Sequence, residues 1–98
     1  MKVINDPRVD KEIRCLPRSE SAKIIRTIEL FSESGFNLAE PYLKKLTRNI
    51  WELRAGRRRL LFGMVENKAV IVNMFLKKTQ KTPKEEVNLA NRRLGEYL

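Results

Sequence analysis

The chain has 98 residues, of which 42% are apolar, and it carries a formal net charge of +9. This length accommodates one domain with a single modest core, and the apolar content excludes a disordered basic tail. A single cysteine excludes an internal disulfide and the absence of histidine removes the usual zinc ligands, so we expect neither a structural metal nor a cofactor. No apolar run is long enough to cross a membrane and the N-terminus lacks the apolar core of a signal peptide, which predicts a cytoplasmic protein.

The net charge is concentrated in one part of the sequence. The stretch from Lys44 to Lys81 holds eleven basic and two acidic residues, whereas the other sixty residues contain ten of each. Such segregation is typical of a protein that binds a polyanion, and nucleic acid is the first candidate.

The first third of the chain predicts a helical hairpin, with room for a short strand over residues 1–4. Asp6 and Pro7 indicate a helix start, because aspartate caps the first turn and proline fits it, and the next proline ends this helix. Ser19 is the predicted cap of a second, longer helix that ends at Gly35. Each helix has one apolar stripe, which consists of Val9, Ile13 and Leu16 in the first and of Ile24, Ile28 and Phe31 in the second.

The middle of the chain predicts an antiparallel meander. Residues 35–42 follow no period and predict a loop. The period then changes to two, which predicts strands at residues 50–55, 58–66 and 69–76. The predicted turns are Gly56-Arg57 and Asn67-Lys68. Alternation places Arg54 and Arg59 on one face of the sheet, opposite to the apolar residues Trp51, Leu53, Leu60, Phe62 and Met64.

A final helix is predicted after Lys81. A capping box is formed by Thr82, Pro83 and Glu85, with threonine as the cap, proline at the first helical position and glutamate at the third. The apolar stripe that follows leaves Leu89 outside it and consists of Val87, Ala90, Leu94 and Tyr97. The predicted fold class is therefore α+β, with an N-terminal helical hairpin, an antiparallel meander and a C-terminal helix in a single domain over residues 1–98.

The order of these elements and three short motifs resemble the RelE/ParE toxin superfamily, in particular its phage-derived, HigB-like branch. The motifs are WELR at residues 51–54, RRLLF at residues 58–62 and FLKKTQKTP at residues 75–83. The resemblance implies a RelE-like fold and the toxin of a type II toxin–antitoxin module. Most members are ribosome-dependent endoribonucleases that cut mRNA and inhibit translation, whereas the ParE branch inhibits DNA gyrase. The expected partners are the ribosome, mRNA and a cognate antitoxin, usually a helix-turn-helix protein of the HigA-like kind.

The resemblance also implies a catalytic set, which consists of Arg54, Arg59, Lys77 and Lys78. RNA cleavage without a metal requires a base for the ribose 2′-OH, stabilisation of the dianionic phosphorane and an acid for the leaving 5′-oxygen. Arginine suits the stabilising role because its planar fork binds two phosphoryl oxygens, and we expect Arg59 to be the main phosphate clamp. A lysine among Lys77, Lys78 and Lys81 is the candidate acid or base, because like charges crowd there.

The other cations of the basic stretch are predicted to bind RNA, mainly through backbone phosphates, and they are Lys44, Lys45, Arg48, Arg57, Arg58 and Lys81. Glu52 is expected to form an ion pair with a neighbouring arginine, and Trp51 to lie in the core. Cys15 is expected to be a small buried apolar residue. Relatives often use a histidine or a tyrosine near the C-terminus as acid or base, and here only Tyr97 is available for that role.

Two other functions stay open beside the endoribonuclease. The first is a gyrase inhibitor that has no active site of its own. The second is a non-catalytic basic module that binds RNA or DNA, for which the positive charge alone is sufficient.

Overall fold

The chain, described over residues 1–98 by a computed structural model, forms one five-stranded sheet with helices on both faces. The strands are β1 (Lys2–Asn5), β2 (Leu43–Lys45), β3 (Trp51–Ala55), β4 (Arg58–Val65) and β5 (Lys68–Leu76). The helices are α1 (Pro7–Arg14), α2 (Arg18–Ser34) and α3 (Lys84–Gly95), and a 3-10 turn at Gly35–Asn37 follows α2. The strand order is β1-β5-β4-β3-β2, with β1 parallel to β5 and every other pair antiparallel. The predicted α+β class is confirmed, and so are its helical hairpin, its meander and its C-terminal helix.

Two of the predicted helix ends are confirmed by their geometry. The Asp6 carboxylate accepts a hydrogen bond from the backbone N–H of Arg8 at 2.8 Å, which caps the first turn of α1. Gly35 ends α2 with φ at 57°, in the left-handed region that glycine adopts without a steric penalty.

Two predicted caps are wrong. Helix α2 begins at Arg18, so Ser19 lies inside the first turn, and no side chain caps this end. The Thr82 hydroxyl, predicted to cap α3, donates instead to the Glu52 carboxylate at 2.6 Å. Pro83 then occupies the cap position of α3 without a side-chain hydrogen bond. Thr82 binds Glu52 and not the helix end because a buried carboxylate without a donor costs more free energy than an exposed helix end, which water can hydrate.

Strand β2 and the second hairpin turn also differ from the predictions. Strand β2 has three residues, of which only Leu43 is buried, and this is too short for a visible period. The turn between β4 and β5 is Glu66-Asn67, one residue earlier than predicted, and Lys68 already pairs with Val65. Both turn residues have positive φ, 48° and 68°, as a two-residue hairpin of the primed type requires.

The sheet separates two apolar cores. One face packs against α1 and α2, and its core includes Leu53, Leu60 and Phe62, with Trp51 and Met64 partly buried at its edge. This confirms the predicted apolar face. On the other face, α3 covers Leu61, Val65, Val70 and Val72 through Ala90 and Leu94. Gly63 permits the close approach of α3, because a Cβ atom there would collide with the Leu94 methyl groups.

The prediction of a buried cysteine is wrong. Cys15 is exposed at the C-terminal end of α1. The buried face of this helix carries Val9 and Ile13, and a residue two positions after Ile13 lies on the opposite side of a helix of 3.6 residues per turn.

Candidate active site

The four residues of the predicted catalytic set converge on one recess at the ends of β3, β4 and β5. Arg54 and Arg59 are direct register partners in the β3–β4 hairpin, so both side chains leave the same face of the sheet. Lys77 follows β5, and its backbone N–H donates to Arg57 O at 2.9 Å, which brings Lys78 to the mouth of the recess. The recess measures about 490 Å³ and is lined by Arg54, Arg59, Lys77, Lys78, Thr79 and Gln80.

Glu52 lies beneath this recess with its side chain buried. One carboxylate oxygen is 3.7 Å from Lys77 Nζ and 4.0 Å from Arg59 Nε, and the other accepts the Thr82 hydroxyl at 2.6 Å. The expected ion pair of Glu52 is thereby confirmed. Since a buried carboxylate is tolerated only when it is paired and hydrogen-bonded, Glu52 connects β3 and β4 with the segment that precedes α3.

Arg59 is held in place by the backbone. Its Nη1 donates to Gly56 O at 2.8 Å and to Arg58 O at 3.0 Å, while its Nε is buried without a hydrogen-bond partner. Burial lowers the pKa of Arg59, and the charge of Arg54 lowers it further against the opposing effect of Glu52. An anion in the recess would reduce the repulsion between the two guanidinium groups.

The two lysines of the recess differ in their surroundings. Lys77 Nζ lies against Glu52 and Thr82, the latter at 3.4 Å, and its side chain is mostly buried. Lys78 is exposed and has no ion-pair partner within 4.0 Å. A ligand in the recess can therefore reach the ammonium group of Lys78, whereas the ammonium group of Lys77 lies at the bottom of the recess beside Glu52.

The structure divides the predicted RNA-binding residues into three groups. Lys44, Lys45 and Lys81 line a groove of about 690 Å³ next to the recess, and Gln80 lines both cavities. Arg58 lies on the opposite face of the sheet, where its Nε is 3.4 Å from a Glu20 carboxylate oxygen of α2, and Arg57 lines the same pocket. Arg48 is exposed in the loop between β2 and β3, outside both cavities. Arg57 and Arg58 are therefore not brought to the recess.

Tyr97 does not face the recess either. Its hydroxyl donates to the Asp6 carboxylate at 2.6 Å, and Asp6 N donates to Ile71 O, near the β1 edge of the sheet. Burial and the hydrogen bond to Asp6 raise the pKa of Tyr97 to about 12. The Arg8 side chain, hydrogen-bonded to Asp6, holds the pKa of that carboxyl well below its usual range. This network joins the two ends of the chain and leaves Tyr97 outside the candidate chemistry.

The sequence reasoning missed three contributors to the site, of which the first, Thr79, lines the recess. Gln80 lines the recess, the groove and a smaller cavity between them. Thr82 binds the buried carboxylate under the recess. All three lie in the FLKKTQKTP motif at residues 75–83, in which only the lysines were predicted to contact the substrate.

No three side chains of the His, Cys, Asp or Glu types lie close enough together to hold a metal ion. None of the helices combines the length and the apolar character needed to cross a membrane.

Residues 11–95 match the family model described as phage derived protein Gp49-like. No curated protein sequence matches the chain significantly. A similar fold occurs in the RelE–RelB complex of Pyrococcus horikoshii (15% identity, TM-score 0.62, 76% of this chain and 92% of that chain). Another occurs in the RelBE2 toxin–antitoxin complex of Mycobacterium tuberculosis (18% identity, TM-score 0.62, 78% of this chain and 96% of that chain). The RelB–RelE complex of Methanococcus jannaschii is also similar (16% identity, TM-score 0.58, 74% of this chain and 88% of that chain). At these identities the similarity shows a shared fold.

Proposed function

Because the chain belongs to the phage-derived Gp49-like family and has the RelE-like fold, we propose that it is the toxin of a type II toxin–antitoxin module and a ribosome-dependent mRNA endoribonuclease. The observation that carries the proposal is the convergence of Arg54, Arg59, Lys77 and Lys78 on one recess. These residues come from three different strand ends, and their positive charges repel one another unless an anion binds.

The groups in the recess support a role in phosphodiester cleavage. Attack of the ribose 2′-oxygen on phosphorus forms one P–O bond and breaks the bond to the 5′-oxygen, so the 2′-OH loses a proton and the 5′-oxygen gains one. Arg54 and Arg59 stabilise the extra negative charge of the phosphorane, and the Arg59 guanidinium, held by two backbone carbonyl oxygens, needs little reorganisation to do so. The exposed Lys78 ammonium group reaches the substrate and donates a proton to the leaving 5′-oxygen, while solvent water accepts the proton of the 2′-OH and later restores the ammonium group. Glu52 keeps Lys77 and Arg59 in position.

The residues of the recess support the ribosome dependence that we propose. No histidine or carboxylate lines the recess, and the Glu52 carboxylate beneath it is occupied by ion pairs with Arg59 and Lys77. Alignment of the 2′-oxygen with the scissile phosphate accounts for a large part of the barrier in such reactions. A ribosome that holds the mRNA in an attackable geometry would supply that alignment.

The first prediction concerns the arginine clamp. Arg59→Ala should reduce mRNA cleavage by about 100-fold or more, the usual effect of removing a fixed donor that binds transition-state charge. Induced expression followed by mapping of mRNA 5′ ends and measurement of growth tests this. Arg54→Ala provides a second variant at a less buried position, and Arg57→Ala removes the same charge on the other side of the sheet and should leave cleavage unchanged.

Each alternative outcome of this experiment has a definite meaning. Full toxicity of both the Arg54 and the Arg59 variant would refute the site. Growth arrest with intact mRNA and broken DNA would favour gyrase inhibition. Harmless overexpression of the wild-type chain would favour a non-catalytic basic module.

The proposal includes a cognate antitoxin, expected to be a helix-turn-helix protein of the HigA-like kind. The uncovered cations of the recess and the groove support an acidic covering element in the antitoxin. Co-expression of the neighbouring reading frame should restore growth, and co-purification of the two chains would identify the complex.

A further inference from the structure

The groove next to the recess offers a second set of ligand-binding groups. We call it the α3 groove; it lies between β2 and the start of α3, and its polar lining includes Lys44, Lys45, Lys81, Lys84, Asn88 and Asn91. At about 690 Å³ it is larger than the recess. This volume is larger than that of one phosphate group and can accommodate a nucleotide.

The charge of the α3 groove is uncompensated. All four of its lysines are exposed, and none lies within 4.0 Å of a carboxylate oxygen. No acidic residue lines the groove. Four unpaired ammonium groups on one concave surface attract a polyanion more strongly than the same charges spread over the molecule.

The α3 groove is continuous with the recess. A small cavity of about 160 Å³ lies between them and shares Lys44 with the groove and Arg54 and Lys77 with the recess. Its lining also includes two carboxylates, those of Glu40 and of Glu52, and the latter is paired with Lys77 and Arg59. Gln80 lines all three. A chain whose phosphate is held by the arginines can therefore extend along the surface into the groove.

The floor of the α3 groove has the chemistry that recognises a base. Asn88 and Asn91 are exposed and lie three residues apart on α3, so their amides share one face of the helix. Each amide can donate and accept a hydrogen bond at once, which matches the edge of an unpaired base. Leu46 and Val87 provide apolar surface for the ring of the base beside them.

We propose that the α3 groove binds nucleotides adjacent to the scissile phosphate of a single-stranded RNA. The lysines bind backbone phosphates, and Asn88 and Asn91 bind the edge of one base and thereby set sequence preference. This assignment rests on the proposed function of the recess and extends it from chemistry to specificity.

The lysines are tested by the salt dependence of binding. The probe is a fluorescein-labelled single-stranded RNA of twelve nucleotides, and fluorescence anisotropy measures its affinity over a range of salt concentrations. Lys81→Ala/Lys84→Ala should lower the slope of log affinity against log salt by about 1.4, since each phosphate contact on a single strand contributes about 0.7. This pair is preferred because Lys45 also lies 5.3 Å above the Trp51 ring.

The matched control is Lys2→Ala/Lys11→Ala, which removes two exposed charges at the other edge of the sheet and should leave the slope unchanged. An unchanged slope in the groove pair, or an equal change in the control pair, would overturn the proposal. Normal RNA binding by the groove pair together with loss of an antitoxin would also overturn it, because the groove would then be a protein-binding surface.

The asparagines are tested by base preference. Four RNAs that differ in one base are compared, and Asn88→Ala/Asn91→Ala should change the relative affinities on the order of tenfold without changing the salt slope. An equal effect on all four RNAs, or none, would overturn the base-reading role. In cells the same variant should shift the preferred cleavage positions. If the wild-type chain cleaves no mRNA but the groove pair still lowers the salt slope, the proposed function fails and the RNA-binding groove stands.

Discussion

At the scale of single residues, the Glu52 carboxylate organises the floor of the recess. It contacts Lys77 and Arg59 through one oxygen and Thr82 through the other. Desolvation of an unpaired carboxylate costs several kcal/mol, so these three partners and Glu52 depend on one another. The Thr82 hydroxyl is the shortest of the three contacts and the only neutral one, which makes it the cleanest place to test the network.

Thr82→Val should lower the free energy of unfolding by about 1–3 kcal/mol, because the side-chain shape is kept while a buried carboxylate loses a donor. Thr82→Ser retains the hydroxyl and should keep most of the stability. Urea denaturation of both variants measures the difference. Equal stability of the valine variant and the wild-type chain would mean that Glu52 is satisfied without Thr82.

At the scale of the elements, the packing of α3 on the sheet leaves the recess uncovered. Helix α3 covers the second apolar core but not the ends of β3 and β4, where Arg54 and Arg59 lie. Its close approach depends on Gly63, which has only hydrogen where another residue would have a Cβ atom facing Leu94 and Asn49 O.

Gly63→Ala should destabilise the chain by about 1–3 kcal/mol, because the added methyl group overpacks the contact with the buried Leu94. The matched control is Gly95→Ala, where nothing lies within 4 Å of the added atom. This second change should stabilise α3 by up to about 1 kcal/mol, since alanine is the better helix former. Thermal unfolding of both variants checks the prediction, and a neutral Gly63→Ala would show that α3 can shift without loss.

At the scale of the whole molecule, one polar network joins the ends of the chain. Tyr97, after α3, donates to Asp6 at the start of α1, and Arg8 binds both Asp6 and Glu96. The network lies near the β1 edge, whereas the basic surface lies toward β3 and β2, so stability and ligand binding depend on separate parts of the sheet.

The network predicts how stability depends on pH. The pKa of Tyr97 is raised to about 12, so the folded chain keeps a proton that the unfolded chain loses near pH 10. The contribution of Tyr97 is therefore complete below about pH 10 and is lost as the pH rises toward 12. The pKa of Asp6 is lowered, so its contribution is complete above about pH 4 and is lost at lower pH.

Chemical denaturation of the wild-type chain and of Tyr97→Phe over a pH series tests this prediction. The stability advantage of the wild-type chain should be constant near neutral pH and should shrink between about pH 10 and pH 12. Asp6→Asn should likewise remove the loss of stability on the acid side. A wild-type advantage that persists unchanged at high pH would contradict the raised pKa of Tyr97.

The sequence by itself determined the features that depend on near neighbours. The helical stripes, the two-residue alternation of β3 to β5 and the charge segregation are local patterns, and alternation in a hairpin is enough to place Arg54 and Arg59 on one face. The α+β class and the shared face of Arg54 and Arg59 were predictable for this reason, whereas Lys77 and Lys78 were predicted from the family resemblance and Thr79 and Gln80 were missed.

Only the tertiary structure decided which groups far apart in the sequence meet. Arg58 forms an ion pair with Glu20, and the Thr82 hydroxyl donates a hydrogen bond to Glu52. The Tyr97 hydroxyl donates to Asp6, which lies near the other end of the sequence. Strand β2 is formed by its antiparallel pairing with β3. The helix-cap preference of Thr82 and the strand propensity of β2 contribute about 1 kcal/mol or less. A buried unpaired charge or backbone group costs more, so tertiary contacts determine the conformation at both places.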